Sequence, residues 1–272
     1  MARTISRRQA LGSLALLAAT GGRAFAQADQ DPDVWPDLVH MLFNDATIVE
    51  DKGLVAFEAP PRAEDAALVP VSFSAKLPEG DERRVLKLTL VIDQNPVPLA
   101  AAFTLGEKSS DTRISTRVRV NSYTNAQVVA ELSDGSLHMA TRYIKASGGC
   151  SAPMVKSMDE AMATLGQMKF RILPPTPEAP NEALLMIRHP NNSGLQMDQV
   201  TRLYTPARYI DKLAVYQGPD LVFSMAAGIS ISEDPNFRFT YKPNGARMFS
   251  VEAEDTAGKT FSGAWPATRD GA

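Results

Sequence analysis

The chain has 272 residues, 44% of them hydrophobic and 22% charged, with 28 basic residues, 31 acidic residues and a single cysteine. This is the composition of a soluble globular protein long enough for two domains of ordinary size. The acidic balance argues against nucleic acid as a partner, because that affinity comes from neutralising phosphates, and one cysteine excludes a disulfide framework and does not by itself define a metal site.

Arg3 and Arg7-Arg8 precede an apolar run over residues 10–19, and Ala24-Phe25-Ala26 has the small-residue pattern of a cleavage site. Residues 1–26 therefore read as a secretory signal, and Ser6-Arg7-Arg8-Gln9-Ala10-Leu11-Gly12 resembles a twin-arginine signal with Ala10 and Gly12 in place of the usual Phe and Lys. The run is about half of the roughly 20 residues a bilayer helix needs, so no membrane span is predicted. Removing the signal takes Arg3, Arg7, Arg8 and Arg23 and no acid, leaving 24 basic against 31 acidic residues. The predicted localisation is the periplasm.

After a polar start, Trp35, Leu38, Val39 and Leu42 fall at helical spacing, with Pro36 in the first turn. One short amphipathic helix is expected, with His40 as a surface or packed residue. From Val55 the period changes to two. Val55 and Phe57, then Val69, Val71, Phe73 and Ala75, then Leu86, Leu88, Leu90 and Ile92 alternate as half-buried antiparallel strands do. Ile114, Val118 and Val120 are set against Arg113, Arg117 and Arg119, a stripe read as a solvated strand face, with a docking face for an anionic adduct or an acidic partner as the functional alternative. Ser133-Asp134-Gly135-Ser136 is a hairpin turn between strands over 128–132 and 137–144.

The second hairpin strand runs into Gly148-Gly149-Cys150-Ser151-Ala152-Pro153. Glycine carries no Cβ, so Gly148 and Gly149 read as a flexible arm that presents the Cys150 thiol to solvent. A lone cysteine is also an ordinary small buried hydrophobe, and Gly-Gly an ordinary turn signal. An unpaired thiol in an oxidising compartment is nevertheless exposed to oxidation unless buried or used.

Residues 154–180 read as a connector. Ser157-Met158-Asp159-Glu160 has the form of a capping box that opens a helix through about Met168, and residues 174–180 form a stiff proline-rich linker. Met154, Met158 and Met162 near Cys150 have the softness of a Cu(I) site, but methionine at helical spacing ordinarily covers a core, and no metal is predicted. Strand signals return over 183–188, 210–217, 220–226, 237–242 and 248–254, with a turn at Pro243-Asn244-Gly245. His189 reads as structural or interfacial. Gly258-Lys259-Thr260 lacks the earlier glycine of a phosphate loop, and no Gly-x-Ser-x-Gly elbow or His-Glu-x-x-His pair is present. The expected fold is all-β, with domains at 33–153 and 181–268, and no self-contained active site is predicted.

Residues 63–71, Asn95-Pro96-Val97-Pro98, Thr116-Arg117-Val118-Arg119 and Gly148-Gly149-Cys150 resemble the SoxY family. Arg188-His189-Pro190, Gly194-Leu195, Pro206-Ala207-Arg208-Tyr209 and residues 230–237 are similar to SoxZ. The order is that of a fused SoxY–SoxZ carrier, of the kind associated with quinoprotein dehydrogenases. The resemblance implies two immunoglobulin-like β-sandwiches, no catalysis by the protein itself, no cofactor, and a sulfur intermediate held covalently on Cys150. Its implied partners are periplasmic sulfur-oxidising enzymes, as in thiosulfate oxidation; the alternative is a docking module for a quinoprotein (PQQ) alcohol dehydrogenase with the thiol incidental. The family's Gly-Gly-Cys-Gly-Gly is Gly-Gly-Cys-Ser-Ala here, and the arm continues into a second domain instead of ending freely.

Overall fold

The computed structural model describes residues 33–109, 111–153, 157–179, 181–198 and 201–268. The export signal expected over residues 1–26, Met154 and Pro180 lie outside the described residues.

Period-two alternation produces strands. In order, the elements are α1 (Trp35–Phe43), β1 (Ile48–Glu50), β2 (Val55–Glu58), β3 (Val69–Ala75), β4 (Val85–Ile92), β5 (Leu99–Leu105), β6 (Ile114–Val118), β7 (Thr124–Leu132) and β8 (Leu137–Ile144). Then come α2 (Met158–Ala163), β9 (Met168–Ile172), β10 (Glu182–Ile187), β11 (Ile210–Gln217), β12 (Asp220–Ala227), β13 (Asn236–Thr240), β14 (Met248–Asp255) and β15 (Thr260–Pro266). In β3, Val69, Val71, Phe73 and Ala75 are buried while Pro70 is exposed, as the alternation requires. In β4, Leu88, Leu90 and Ile92 enter the core, and Thr89 turns to the outer face beside Leu42 and Phe43 of α1.

The strands form a nine-stranded sheet, β1-β8-β7-β4-β5-β12-β11-β14-β15, and a six-stranded sheet, β2-β3-β6-β13-β10-β9. Each half of the chain thus layers strands of one sheet on strands of the other, the arrangement of an all-β sandwich. The halves meet edge to edge twice. Strand β5 pairs antiparallel with β12, Phe103 lying opposite Met225, and β6 pairs antiparallel with β13, Ile114 lying opposite Phe239. Edges that would otherwise expose unpaired N–H and C=O groups are closed by the other half.

Side chains follow the same seam. The Phe103 ring lies 5.4 Å from Phe73, 6.0 Å from Phe223 and 6.3 Å from Phe237, so aromatic rings from both sheets and both halves form one cluster. At the far end Phe170 stacks on Trp265 at 5.4 Å and lies 4.9 Å from Phe249.

The connector differs from its expectation. The capping box is present, with Ser157 and Glu160 side chains each bonding the other's backbone N–H, but the helix stops at Ala163. Met168 begins β9, an edge strand whose buried Phe170 alternates with exposed Lys169 and Arg171. Five residues of alternation after a helix cap were too few to read. The prolines beyond it fold into a turn closed by reciprocal bonds between Thr176 and Ala179. Strand β5 leaves no signal in the sequence because its small residues, Ala100, Ala101 and Ala102, give no contrast, and β1 and β15 are further strands beyond those expected.

Because both sheets cross the seam, the two halves should unfold together. Single-tryptophan variants Trp35→Phe and Trp265→Phe, each leaving one reporter at an opposite end of the chain, should give coincident urea transitions, and Phe103→Ala should lower stability by about 3–5 kcal/mol in both. Separated midpoints would show that the seam does not couple the halves.

Candidate functional site

Past the end of β8 the chain is held at every step. Lys145 N–H donates to Pro61 O and Ala63 N–H to Lys145 O. Gly148 N–H donates to Asn121 O at 2.8 Å, Gly149 N–H to Val120 O at 3.0 Å, and Ser151 N–H back to Gly148 O at 3.2 Å. The result is a tight turn seated on the stretch that follows β6. Gly148 has φ +79°, which side chains disfavour. A Cβ on Gly149 would lie 2.0 Å from Ala66 O and 2.7 Å from Val120 O. The glycines thus let the backbone seat closely, and the expected solvent-presented arm is replaced here by a docked turn with Cys150 0% exposed.

The second half closes over this turn. Ser193 Oγ donates to Cys150 O at 2.5 Å and Gln196 Nε2 to Ala152 O at 3.2 Å. Ser193 N–H in turn donates to Gln196 Oε1, and Leu195 N–H to Ser193 Oγ. Segment 189–196 acts as a clasp.

Arg119 sits beneath the clasp. The sequence placed it with Arg113 and Arg117 on a solvated face, but it is 2% exposed. The reason is local: β6 ends at Val118, and Arg119 N–H leaves the strand ladder to donate to Ser230 O at 2.7 Å. Residues 118, 119 and 120 are then all buried, so alternation ends where the strand does. Asn95 fixes the position, its Nδ2 donating to Arg119 O and Ser230 Oγ, both at 2.8 Å, while its Oδ1 accepts from Asn121 N–H at 2.9 Å. The guanidinium donates through Nη2 to Asn191 O at 3.1 Å, and its buried Nε–H has no hydrogen-bond partner.

Electrostatics follow from this burial. Desolvation lowers the Arg119 pKa, opposed by the thiolate form of Cys150 and by the charges of Glu233 and Asp65. Burial pushes the Cys150 thiol up to about 11, and the Arg119 charge offsets this only in part. At neutral pH the docked sulfur is a protonated, unreactive thiol.

His189 supports the clasp from behind, as its structural reading expected. Its Nδ1 accepts from Asn191 N–H at 3.0 Å, which leaves the proton on Nε2 to donate to Asp255 Oδ2 at 3.3 Å. Arg208 Nε donates to the same oxygen at 2.9 Å. Burial lowers the His189 pKa, against the raising effect of Asp255. His40 lies on the surface beside Asp45. Met162 is exposed with its sulfur 3.7 Å from Arg208 Nη1. Among the described residues no group of three His, Cys, Asp or Glu side chains is placed to hold a metal, and no helix is long and apolar enough to cross a membrane.

The stretches singled out in the two halves of the sequence meet here, Asn95, Arg119 and Cys150 from the first and His189 and Ser230 from the second, joined by Asn191 and Ser193 between them. The family model for sulfur oxidation protein SoxY matches residues 39–150, ending on the cysteine, and that for sulphur oxidation protein SoxZ matches residues 174–266. The chain belongs to the SoxY and SoxZ families, fused in one polypeptide. It is a SoxYZ-like sulfur carrier. No curated protein matches it. Among solved structures it is similar to the sulfur carrier protein SoxY from Chlorobium limicola f thiosulfatophilum, at 25% identity over 41% of this chain and 90% of that chain, with a TM-score of 0.35.

The sequence pointed to the cysteine and its glycines but missed the clasp. Asn191, Ser193 and Gln196 lie in a polar loop whose composition signals only a turn, and their partners are more than forty residues away.

Two outcomes follow for this SoxYZ-like chain. At pH 7.5 the native thiol should react with a disulfide reagent such as DTNB at least about a hundredfold more slowly than in urea, since a thiol pushed from 9.0 to about 11 has that much less thiolate. Gly149→Ala, which cannot seat the turn, should recover at least about tenfold of that rate while the fold persists; unchanged protection would show that the seat is not what hides the sulfur. His189 sets the second. The folded state refuses a proton that the unfolded chain accepts below 6.5, so its contribution is present above that pH and lost as pH falls through it. The wild-type urea midpoint should therefore drop more between pH 7.5 and pH 5 than that of His189→Gln; parallel curves would refute the assignment.

Proposed function

We propose that this chain works in the periplasm as a covalent carrier, with Cys150 as the attachment atom that receives a sulfur species from one enzyme and yields it to another. The observation that supports this most is the convergence of SoxY-type and SoxZ-type segments on the chain's one thiol. Export rests on the twin-arginine-like residues 1–26.

The chemistry is simple to balance. Coupling the thiol to a thiosulfate-type anion forms one S–S bond, releases the thiol proton and delivers two electrons to the partner enzyme. Transfer by exchange breaks that bond, the attacking thiolate forming a new S–S bond and the outgoing sulfur taking the electron pair, without net oxidation. The reacting form is the thiolate, so the partner must open the clasp before the sulfur is reactive. Four donors hold the turn, Gly148 N–H, Gly149 N–H, Ser193 Oγ and Gln196 Nε2, and each contributes about 0.5–1.5 kcal/mol, which makes opening on contact with a partner energetically accessible.

One observation favours a second reading: a fully buried thiol is also what a docking module for a quinoprotein alcohol dehydrogenase would show, with the cysteine incidental. The two readings separate on one substitution. Intact-mass spectra of protein isolated from cells metabolising reduced sulfur should show a reductant-sensitive mass increase in wild type and none in Cys150→Ser, with loss of sulfur oxidation in that variant. An unmodified wild-type mass together with full function of Cys150→Ser would leave the docking reading.

A further inference from the structure

A buried guanidinium is costly unless its charge and its N–H groups are met. Arg119 meets neither requirement fully. One of its donors reaches a neutral carbonyl, Asn191 O, and its Nε–H has no partner. Its backbone lies next to Val120, whose carbonyl holds Gly149, and its side chain is bonded to the same clasp that holds Cys150 through Ser193. The cation is thus built into the wall of the thiol site. In the unloaded protein the adjacent sulfur is a neutral thiol, so the only counter-charge comes through space from Glu233 and Asp65, neither of which is hydrogen-bonded to the guanidinium.

We infer that Arg119 is the anion-recognition residue of this site, pairing with the negatively charged end of the sulfur species once it is attached to Cys150. The inference rests on the carrier reading and deepens it: the cargo is anionic, ending in an oxo-sulfur or persulfide group, and Arg119 distinguishes it from a neutral adduct. Loading pushes the clasp outward while the anionic end stays on the guanidinium, where the unpartnered Nε–H and its neighbouring donors give a charge-assisted fork. An adduct held there is shielded from stray thiols between enzymes.

Chemically loaded protein tests this without any partner. The thiol, opened in urea, is treated with tetrathionate, whose inner sulfur is attacked to form the Sγ–S bond of a Cys–Sγ–S–SO3⁻ adduct while thiosulfate leaves with the electron pair. A parallel sample treated with methyl methanethiosulfonate forms the neutral disulfide Cys–Sγ–S–CH3 and expels methanesulfinate. After refolding, release by dithiothreitol is timed in folded and urea-unfolded protein. The folded-to-unfolded protection of the anionic adduct should exceed that of the methyl adduct by about tenfold, the worth of one charge-assisted pair. The excess should vanish in Arg119→Gln and return in part in Arg119→Lys. Equal protection of both adducts in wild type overturns the inference, as does an excess that survives in folded Arg119→Gln; the wild-type comparison stands even if the Gln variant does not fold. Absence of any adduct on protein from cells would instead count against the carrier reading and leave this measurement intact.

Discussion

The continuity of both sheets across the seam is the constraint on which the site depends. Strand β5 is completed by β12 and β6 by β13, so the relative position of the two halves is fixed by main-chain hydrogen bonds and not by side-chain packing alone. Rings from both halves then fill the space between the sheets around Phe103. A clasp contributed by one half can hold a turn contributed by the other only if the two do not rotate against each other. The pairing of β6 with β13 also delivers Ser230, in the loop between β12 and β13, to the backbone of Arg119, just after β6.

That arrangement reverses the role the glycines suggest. In isolation Gly148-Gly149 signals freedom, because nothing in a linear sequence states what the backbone will approach. In the fold the missing Cβ of Gly149 is filled by the carbonyls of Ala66 and Val120. The same pair of residues serves two states. Absent side chains let the turn seat tightly, and once unseated they leave it with more conformational freedom than any other pair would. Continuation of the arm into a second domain is what gives the closed state its second set of contacts.

Much of the architecture was legible for a physical reason: half-buried strands must alternate, and β3, β6 and β14 do. What was lost lay where alternation has no contrast, as in the alanines of β5, or where it is too short, as in β9. The site was legible in its covalent atom and opaque in its surroundings. Arg119 follows the phase of Arg113 and Arg117, and only the end of β6 one residue earlier turns it inward. The clasp residues Asn191, Ser193 and Gln196 act at long range, and hydrogen bonding at that separation leaves no periodic trace.

The unloaded site is then a balance of two imperfect burials. A thiol kept neutral costs little to bury, whereas a guanidinium with one carbonyl partner remains undersatisfied. That cost is relieved either by removing the cation or by a state in which its charge is met. An anion on Cys150 supplies such a state, and with it a sign for the coupling: loading relieves the electrostatic cost beneath the clasp while straining the packing above it. The loaded carrier is therefore held by charge and opened by sterics. The empty one is held by hydrogen bonds, and a partner that competes for Ser193 and Gln196 has only those to displace.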